Sequence, residues 1–156
     1  MKLPMDKKLQ SYSLRDAPGH LIRRCQQRAV DLFVDEVGEN GPNPRQFAVL
    51  INVYQNPGMS QTTLVEASGI DRSTLTEVLR LMIKRDMISK SRTQKDRRAN
   101  ALFLTPNGQK ILENAFEATE RAQKKILSPL DTSDRAQAMG ILTALANHDY
   151  ESNGNT

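Results

Sequence analysis

Apolar residues along most of the chain recur three and four positions apart, which is the spacing of helices with one buried face. A first long helix is predicted from about residue 17 to Gly38. Its apolar face is expected to hold Leu21, Ile22, Cys25, Ala29, Leu32 and Phe33. The run NGPNP at residues 40–44 interrupts the pattern, because a helix interior excludes proline, although proline suits the first position of the next helix.

The following segment predicts two helices joined by a tight turn, after a helix that stops at the Asn-Pro-Gly sequence of residues 56–58. That preceding helix has an apolar stripe of Phe47, Leu50, Ile51 and Tyr54. Ser60 is placed to cap a short helix that runs to Ala67. Gly69 can take the left-handed conformation that ends this helix, and Asp71 can cap the next. This arrangement is typical of a helix-turn-helix unit.

The second helix of this unit, predicted from Arg72 to Arg85, has two chemically distinct faces. The face expected to be buried consists of Leu75, Val78, Leu79, Met82 and Ile83. The opposite face presents hydrogen-bonding side chains, namely Ser73, Thr76, Glu77, Arg80 and Lys84. Leu81 lies on this polar side, where it would contact a thymine methyl group or pack on a neighbour.

Beyond residue 87 the pattern changes to two short strands around a charged turn, Ile88 to Arg92 and Ala99 to Leu104. A long helix is then predicted from Thr105 to about Leu127, and Pro129 ends it. Its packing positions are Ile111, Leu112, Ala115, Ala118, Ala122 and Ile126. A last helix is expected to turn four residues inward: Met139, Leu142, Leu145 and Ala146. Residues 1–16 and 151–156 are expected to be flexible ends.

The composition favours a mainly α protein, because aromatic residues make up only 4% of the 156 and tryptophan is absent. This length suits a single domain, 1–156. Cys25 is the sole cysteine, which excludes an internal disulfide framework. The sequence lacks the apolar core of a signal peptide and any run long enough to cross a membrane, so we expect a cytoplasmic protein with no membrane partner.

Positive charge is concentrated in residues 84–98. This segment contains seven basic and two acidic residues, which gives it a net charge of +5. The whole chain has a net charge of +4, so the remainder is close to neutral. Such a cluster indicates a local polyanion contact, with a solvated face as the alternative. A helix-turn-helix followed by a hairpin is a winged helix, whose recognition helix fits the major groove while the basic hairpin reaches the minor groove. In that arrangement Arg80 would read guanine and Glu77 would accept from a cytosine amine.

Three segments of the chain resemble the MarR family of bacterial transcriptional regulators: PRQFAVLINVY, QTTLVEASGIDRSTLTEVLRLMIKRDMI and KDRRANALFLTPNGQKIL. The most specific feature is an Asp-x-Arg motif followed by Leu-Thr-x-x-Gly, here Asp96, Arg98, Leu104, Thr105 and Gly108. By this resemblance the Asp96 carboxylate braces the wing and Arg98 enters the minor groove. The sequence TQK stands where the family usually has an additional Pro or Asp before the motif.

The resemblance implies a winged helix at about 44–104 and dimerisation helices at about 17–38 and 105–149. The apolar positions of the terminal helices, too many for one small core to cover, also favour a homodimer. A dimer with two-fold symmetry is expected to bind double-stranded DNA at a pseudo-palindromic operator. The DNA-bound protein would then lie at the bacterial nucleoid. The residues expected to contact DNA are Arg72, Ser73, Thr74, Thr76, Glu77, Arg80, Lys84, Lys95, Arg97 and Arg98.

The segment APGHLIRRCQQRAVDLF resembles a branch of the family that controls aromatic-acid catabolism, including nicotinate-degradation repressors. This resemblance implies a small aromatic carboxylate effector, for which His20, Arg23 and Arg24 would form a pocket edge and Phe47 a wall. Each residue also has a structural interpretation. The two arginines would be solvated, His20 would cap or pack near the helix start, and Phe47 would belong to the core.

Four other functions compete with a ligand-released repressor. Cys25 allows a redox-responsive regulator, although its place on the apolar stripe favours a buried, inert thiol. A basic wing would also serve a non-specific architectural DNA-binding protein or a winged helix used for protein contact. An enzyme is not expected, because His20 and His148 are far apart and the sequence has no phosphate-binding glycine loop. No cofactor and no metal site are expected either.

Overall fold

The computed structural model describes residues 5–92 and 100–147, which form helices around a small sheet. The helices are α1 (Met5–Ser11), α2 (Pro18–Val37), α3 (Pro44–Gln55), α4 (Gln61–Ser68), α5 (Arg72–Lys84), α6 (Pro106–Ile126) and α7 (Thr132–Ala146), with a 3₁₀ turn at Leu14–Asp16. The strands are β1 (Met59–Ser60), β2 (Ile88–Arg92) and β3 (Asn100–Leu104). The mainly α fold with a winged helix-turn-helix is confirmed.

The sheet contains both predicted strands of the wing, β2 and β3, and a third short strand, β1. It is antiparallel in the order β1-β3-β2, with Met59 opposite Leu102 and Ile88 opposite Leu104. The Gly58 N–H also donates to the Leu102 carbonyl over 2.8 Å. A strand of two residues is too short to show an alternating pattern, which explains why the sequence did not reveal β1.

The core of the winged helix lies between α3, α4, α5 and the sheet. Its fully buried side chains include Leu50, Leu64, Leu75, Leu79, Met82 and Leu102. Two predicted core residues are more exposed than expected: Ile83 of α5 is 37% exposed and Tyr54 of α3 is 51% exposed. Each follows a buried residue directly, and a step of about 100° around the helix turns it away from the core.

The first and last long helices bury far less than their apolar patterns predicted. In α2 only Phe33 is buried, and Cys25 is exposed, which corrects the expectation of a buried thiol. No residue of α7 within Thr132–Ala146 is buried. The predicted inward face is therefore wrong for the single chain: Met139, Leu142 and Leu145 are 47–61% exposed, and Ala146 is exposed too. Among the described residues no element covers these exposed side chains of α7, and α6 packs against only part of α2.

The beginning of the chain contains two short helical elements. Residues 5–16, expected to be a flexible end, contain α1 and the 3₁₀ turn, although neither has a buried residue. The predicted end at 151–156 lies outside the described residues. The tip of the wing at 93–99, with Lys95, Asp96, Arg97 and Arg98, also lies outside them.

The wing is joined to α6 at a tight turn that explains the Leu-Thr-x-x-Gly sequence. Thr105 caps α6, because its hydroxyl oxygen accepts from the Gly108 N–H over 2.9 Å. The same hydroxyl donates to the carbonyl of Asp86, whose φ of 53° marks the end of α5. Gly108 lies directly on the backbone of Met87, so that a Cβ added there would be 2.0 Å from the Met87 carbonyl oxygen. Glycine at this position therefore permits the close contact between α6 and the wing.

Candidate nucleic-acid interface

The turn between α4 and α5 is set by two local features. Gly69 ends α4 in the left-handed conformation with φ of 66°, as the sequence predicted. Asp71 caps α5, since its Oδ1 accepts from the Thr74 N–H over 2.9 Å and from the Ser73 hydroxyl over 2.7 Å. Hydrogen bonds to its carboxylate hold the pKa of Asp71 well below its ordinary value, and those from Thr74 have a larger effect than those from Ser73.

We expect the Asp71 cap to make folding stability depend on acid pH. Because its folded pKa is lowered, its contribution is fully present above the unfolded pKa of 3.8 and is lost as pH falls through the folded pKa. Asp71→Asn should keep the cap, since both residues are good N-caps, but should not titrate. The free energy of unfolding of wild type and D71N, measured between pH 6 and pH 2.5, should therefore fall more steeply for wild type. Equal slopes would contradict this assignment.

The outward face of α5 is polar and accessible, as predicted. The exposed residues among the expected DNA contacts are Arg72, Ser73, Thr76, Glu77, Arg80 and Lys84, while Thr74 is half-buried. Leu81 is 36% exposed on the same side. These side chains form a continuous surface on a helix whose other face, through Leu75, Leu79 and Met82, is fixed in the core. The helix thus offers hydrogen-bond donors and acceptors on a rigid support.

Two residues of α4 hold α5 in place, and the sequence did not single them out. Gln61 Nε2 donates to Thr76 Oγ1 over 2.7 Å, and Thr76 Oγ1 donates to the Arg72 carbonyl over 2.8 Å. Arg72 Nη2 donates to Thr62 Oγ1 over 3.4 Å. The available signal was the polar run Gln-Thr-Thr directly after the Ser60 cap. These contacts fix the start of α4 against α5, so both helices present one surface.

Arg80 and Glu77 form an ion pair on this surface. Arg80 Nε donates to Glu77 Oε2 over 2.9 Å, and Arg80 Nη2 donates to Glu77 Oε1 over 2.6 Å. Both side chains are about 60% exposed. The hydrogen bonds from Arg80 lower the pKa of Glu77, and those to Glu77 raise the pKa of Arg80. Both side chains are therefore charged over the whole physiological range.

The structure brings together three of the four residues proposed for an effector pocket. His20, Arg23 and Arg24 line a shallow, open groove whose described lining belongs to α2 alone, with Arg23 Nη2 3.4 Å from His20 Nδ1. Phe47 is not among the residues that line this groove in the described part of the chain. It is half-buried and packs edge-on against Phe33, with ring centroids 6.0 Å apart. Phe47 therefore belongs to the contact between α2 and α3.

A second concave surface lies between α3 and α6, and the sequence did not predict it. Its apolar wall consists of Ile51, Tyr54, Leu112 and Phe116, with Glu113 and Glu117 at the edge. Its volume is about 570 Å³. The exposure of Tyr54 and Phe116, at 51% and 45%, distinguishes this surface from ordinary core. The sequence signal would have been Phe116, an aromatic residue outside the predicted packing stripe of α6.

Comparison with known proteins identifies the family. The sequence pattern of the MarR family matches residues 43–99, which extend from the cap of α3 to the wing. The PcaV transcriptional regulator from Streptomyces coelicolor, solved in complex with its natural ligand, is 32% identical. The alignment covers 87% of this chain and 96% of that one, with a TM-score of 0.80. The chain belongs to the MarR family.

Two further structures resemble this MarR-family protein over most of its length. BpsR from Bordetella bronchiseptica, whose DNA binding is regulated by 6-hydroxynicotinic acid, is 26% identical with a TM-score of 0.83. The alignment covers 88% of this chain and 99% of the BpsR chain. The repressor CouR, solved on a 23-mer DNA duplex, is 26% identical over 94% of this chain and 99% of its own, with a TM-score of 0.76.

Membership of the MarR family makes this protein a transcriptional regulator and not an enzyme. Within residues 5–92 and 100–147 no group of three or more His, Cys, Asp or Glu side chains is arranged to hold a metal ion. None of the described helices is long and apolar enough to span a membrane.

Proposed function

We propose that this MarR-family protein is a homodimeric repressor that binds a pseudo-palindromic operator and is released from it by a small aromatic acid. The observation that carries the proposal is the exposed polar face of α5, whose opposite face is buried in the core through Leu75, Leu79 and Met82. A helix fixed in this way can enter the major groove with its side chains already positioned.

The wing supplies the second DNA contact in this proposal. The segment between strands β2 and β3 contains Lys95, Arg97 and Arg98 in the sequence, and Asp96 is proposed to brace it. Arg98 would enter the minor groove, where a narrow groove concentrates negative potential. On α5, Ser73, Thr74 and Lys84 would contact base edges or phosphates alongside Arg72 and Thr76. Arg80 would supply the contact that selects guanine.

The dimer is supported by the apolar side chains that the single chain leaves exposed on α2 and α7. Leu21 and Ile22 of α2 are 46% and 54% exposed, and Leu142 and Leu145 of α7 are similarly accessible. Exposed apolar groups on these two helices favour self-association, because a second copy would remove them from water. A two-fold dimer would place two copies of α5 about 34–36 Å apart, one turn of DNA.

The effector proposal rests on the groove of α2. His20, Arg23 and Arg24 together offer two guanidinium groups and a titratable ring, which suit the carboxylate and hydroxyl groups of a hydroxylated aromatic acid. The response of BpsR to 6-hydroxynicotinic acid supports this ligand class. Release from DNA requires the acid to bind a conformer with displaced recognition helices more tightly than the DNA-competent conformer.

Fluorescence anisotropy tests the whole proposal. The labelled duplexes would be the region upstream of the protein's own gene and a scrambled sequence of equal length, each with and without 6-hydroxynicotinate and a panel of benzoates. A regulator should prefer the first duplex by about 10³-fold or more and be released by one compound. Equal, salt-sensitive binding to both duplexes would instead establish an architectural DNA-binding protein.

Arg98→Ala should weaken operator binding about tenfold or more and flatten its salt dependence. The loss follows because each dimer would give up two minor-groove cations, each of which displaces counterions from DNA. Anisotropy titrations from 50 to 200 mM salt measure both effects. Arg98→Lys is the matched control, since it keeps the charge and should retain most of the salt dependence. Wild-type affinity of the alanine variant at physiological salt would show that the wing is assigned wrongly.

The exposure of Cys25 supports a second candidate, a redox-responsive regulator. A thiol on the surface of α2, beside the effector groove, is accessible to peroxide, unlike a buried one. Anisotropy after hydrogen peroxide treatment, in wild type and Cys25→Ser, separates the two candidates. Release from DNA by peroxide that the serine substitution abolishes would favour redox control. Unchanged binding in both proteins would exclude it.

A further inference from the structure

We infer that Glu77 positions Arg80 for guanine recognition and does not itself read a base. This rests on the proposed function, in which α5 lies in the major groove. The sequence suggested that Glu77 accepts a hydrogen bond from a cytosine amine. In the structure both of its carboxylate oxygens already accept from Arg80, at 2.6 and 2.9 Å. The orientation of the carboxylate is therefore set by its neighbour on the helix.

The contact with Glu77 leaves one end of the Arg80 guanidinium group available to bind a base. A guanidinium group has five N–H bonds, and Glu77 engages only those on Nε and on one position of Nη2. The remaining N–H bonds on Nη1 and Nη2 point from the far end of the group. That end is the fork that donates to O6 and N7 of guanine. One guanidinium can thus bind Glu77 along its side and guanine at its end.

Pairing in this manner changes what the arginine contributes to DNA binding. A solvated arginine has many rotamers, and some of them direct the guanidinium to phosphates instead of base edges. Glu77 favours the one seen in the structure, because the pair forms within a single turn of a helix that the core holds rigid. The negative carboxylate also opposes the approach of phosphates. Glu77 should therefore raise base discrimination while it lowers affinity for arbitrary DNA.

The test is selection of binding sites from a random-sequence duplex library by wild type, Glu77→Ala, Arg80→Ala and the double variant. Wild type should select a motif with one guanine per half-site that Arg80→Ala no longer requires. Glu77→Ala should weaken the preference for the same guanine about tenfold. The double variant should lose no more of this guanine preference than Arg80→Ala alone. Binding of Glu77→Ala to scrambled DNA should become tighter.

Two controls separate positioning from other effects. Glu66→Ala removes an exposed carboxylate from the neighbouring helix α4, so it reports the general effect of a lost negative charge. It should leave the guanine preference intact. Glu77→Gln can still accept one hydrogen bond from Arg80 and should restore part of the preference. Thermal unfolding of Glu77→Ala should match that of wild type, because the pair is exposed.

Three outcomes would overturn the inference. In the first, Glu77→Ala loses the preference at a different base pair from Arg80→Ala, and the two losses add in the double variant. This would show that Glu77 reads a base directly. An unchanged motif in Glu77→Ala would show that it has no role in recognition, while the proposed function would stand. A wild-type protein that selects no motif would overturn the proposed function and this inference with it.

Discussion

Gly108→Ala is expected to destabilise the folded protein by about 3 kcal/mol or more. The new methyl group would lie 2.0 Å from the carbonyl oxygen of Met87 and 2.9 Å from its carbonyl carbon. Both atoms belong to the backbone between α5 and β2, so they cannot move aside as a flexible side chain would. Relief requires α6 to shift from the wing. The cap at Thr105 and its bond to the Asp86 carbonyl would be strained by the same movement.

Thermal or urea unfolding measures this effect, at one protein concentration because a dimer's stability depends on it. For a chain of this length the expected loss corresponds to a melting temperature lowered by about 6–12 °C. Gly19→Ala is the matched control, since a Cβ added in this first turn of α2 meets no atom of another described part of the chain within 4 Å. If Gly108→Ala is as stable as Gly19→Ala, the close contact between α6 and Met87 is wrong.

Leu142→Glu is expected to convert the proposed dimer into monomers and to weaken operator binding about 100-fold or more. Leu142 is 47% exposed in the single chain, and its neighbours on the same side of α7 are Met139 and Leu145. A carboxylate placed among them would be costly to bury against a second copy. The monomer would then hold only one half-site and would lose the gain that comes from linking two recognition helices.

Light scattering after gel filtration measures the assembly state, and anisotropy on the wild-type operator measures the affinity. Ala144→Glu is the control, because it adds the same charge two residues later, about 200° around α7 from Leu142. It should remain dimeric and bind the operator as wild type does. A Leu142→Glu variant that is still a dimer would show that the apolar side of α7 does not form the interface.

Short-range signals in the sequence determined most of the fold. The caps at Ser60, Asp71 and Thr105 each depend on a residue three positions further along, so their hydrogen bonds were encoded locally. The polar and buried faces of α5 followed from helical periodicity, and the structure confirmed them apart from Ile83. The Glu77–Arg80 pair is also local, but residue types alone did not show which end of the guanidinium Glu77 would engage.

Only the tertiary structure decided the features that join distant parts of the chain. The pairing of β1 with β3 and the contact of Gly108 with Met87 connect segments about twenty or more residues apart, and no periodic pattern encodes them. The apolar pattern of α2 and α7 was evident in the sequence, yet it could not distinguish a side buried within one chain from a side left for a second copy. Ile22 and Leu142 both lie on such sides. Periodicity fixes which side of a helix is apolar, whereas the packing of the other elements decides whether anything in the same chain covers it.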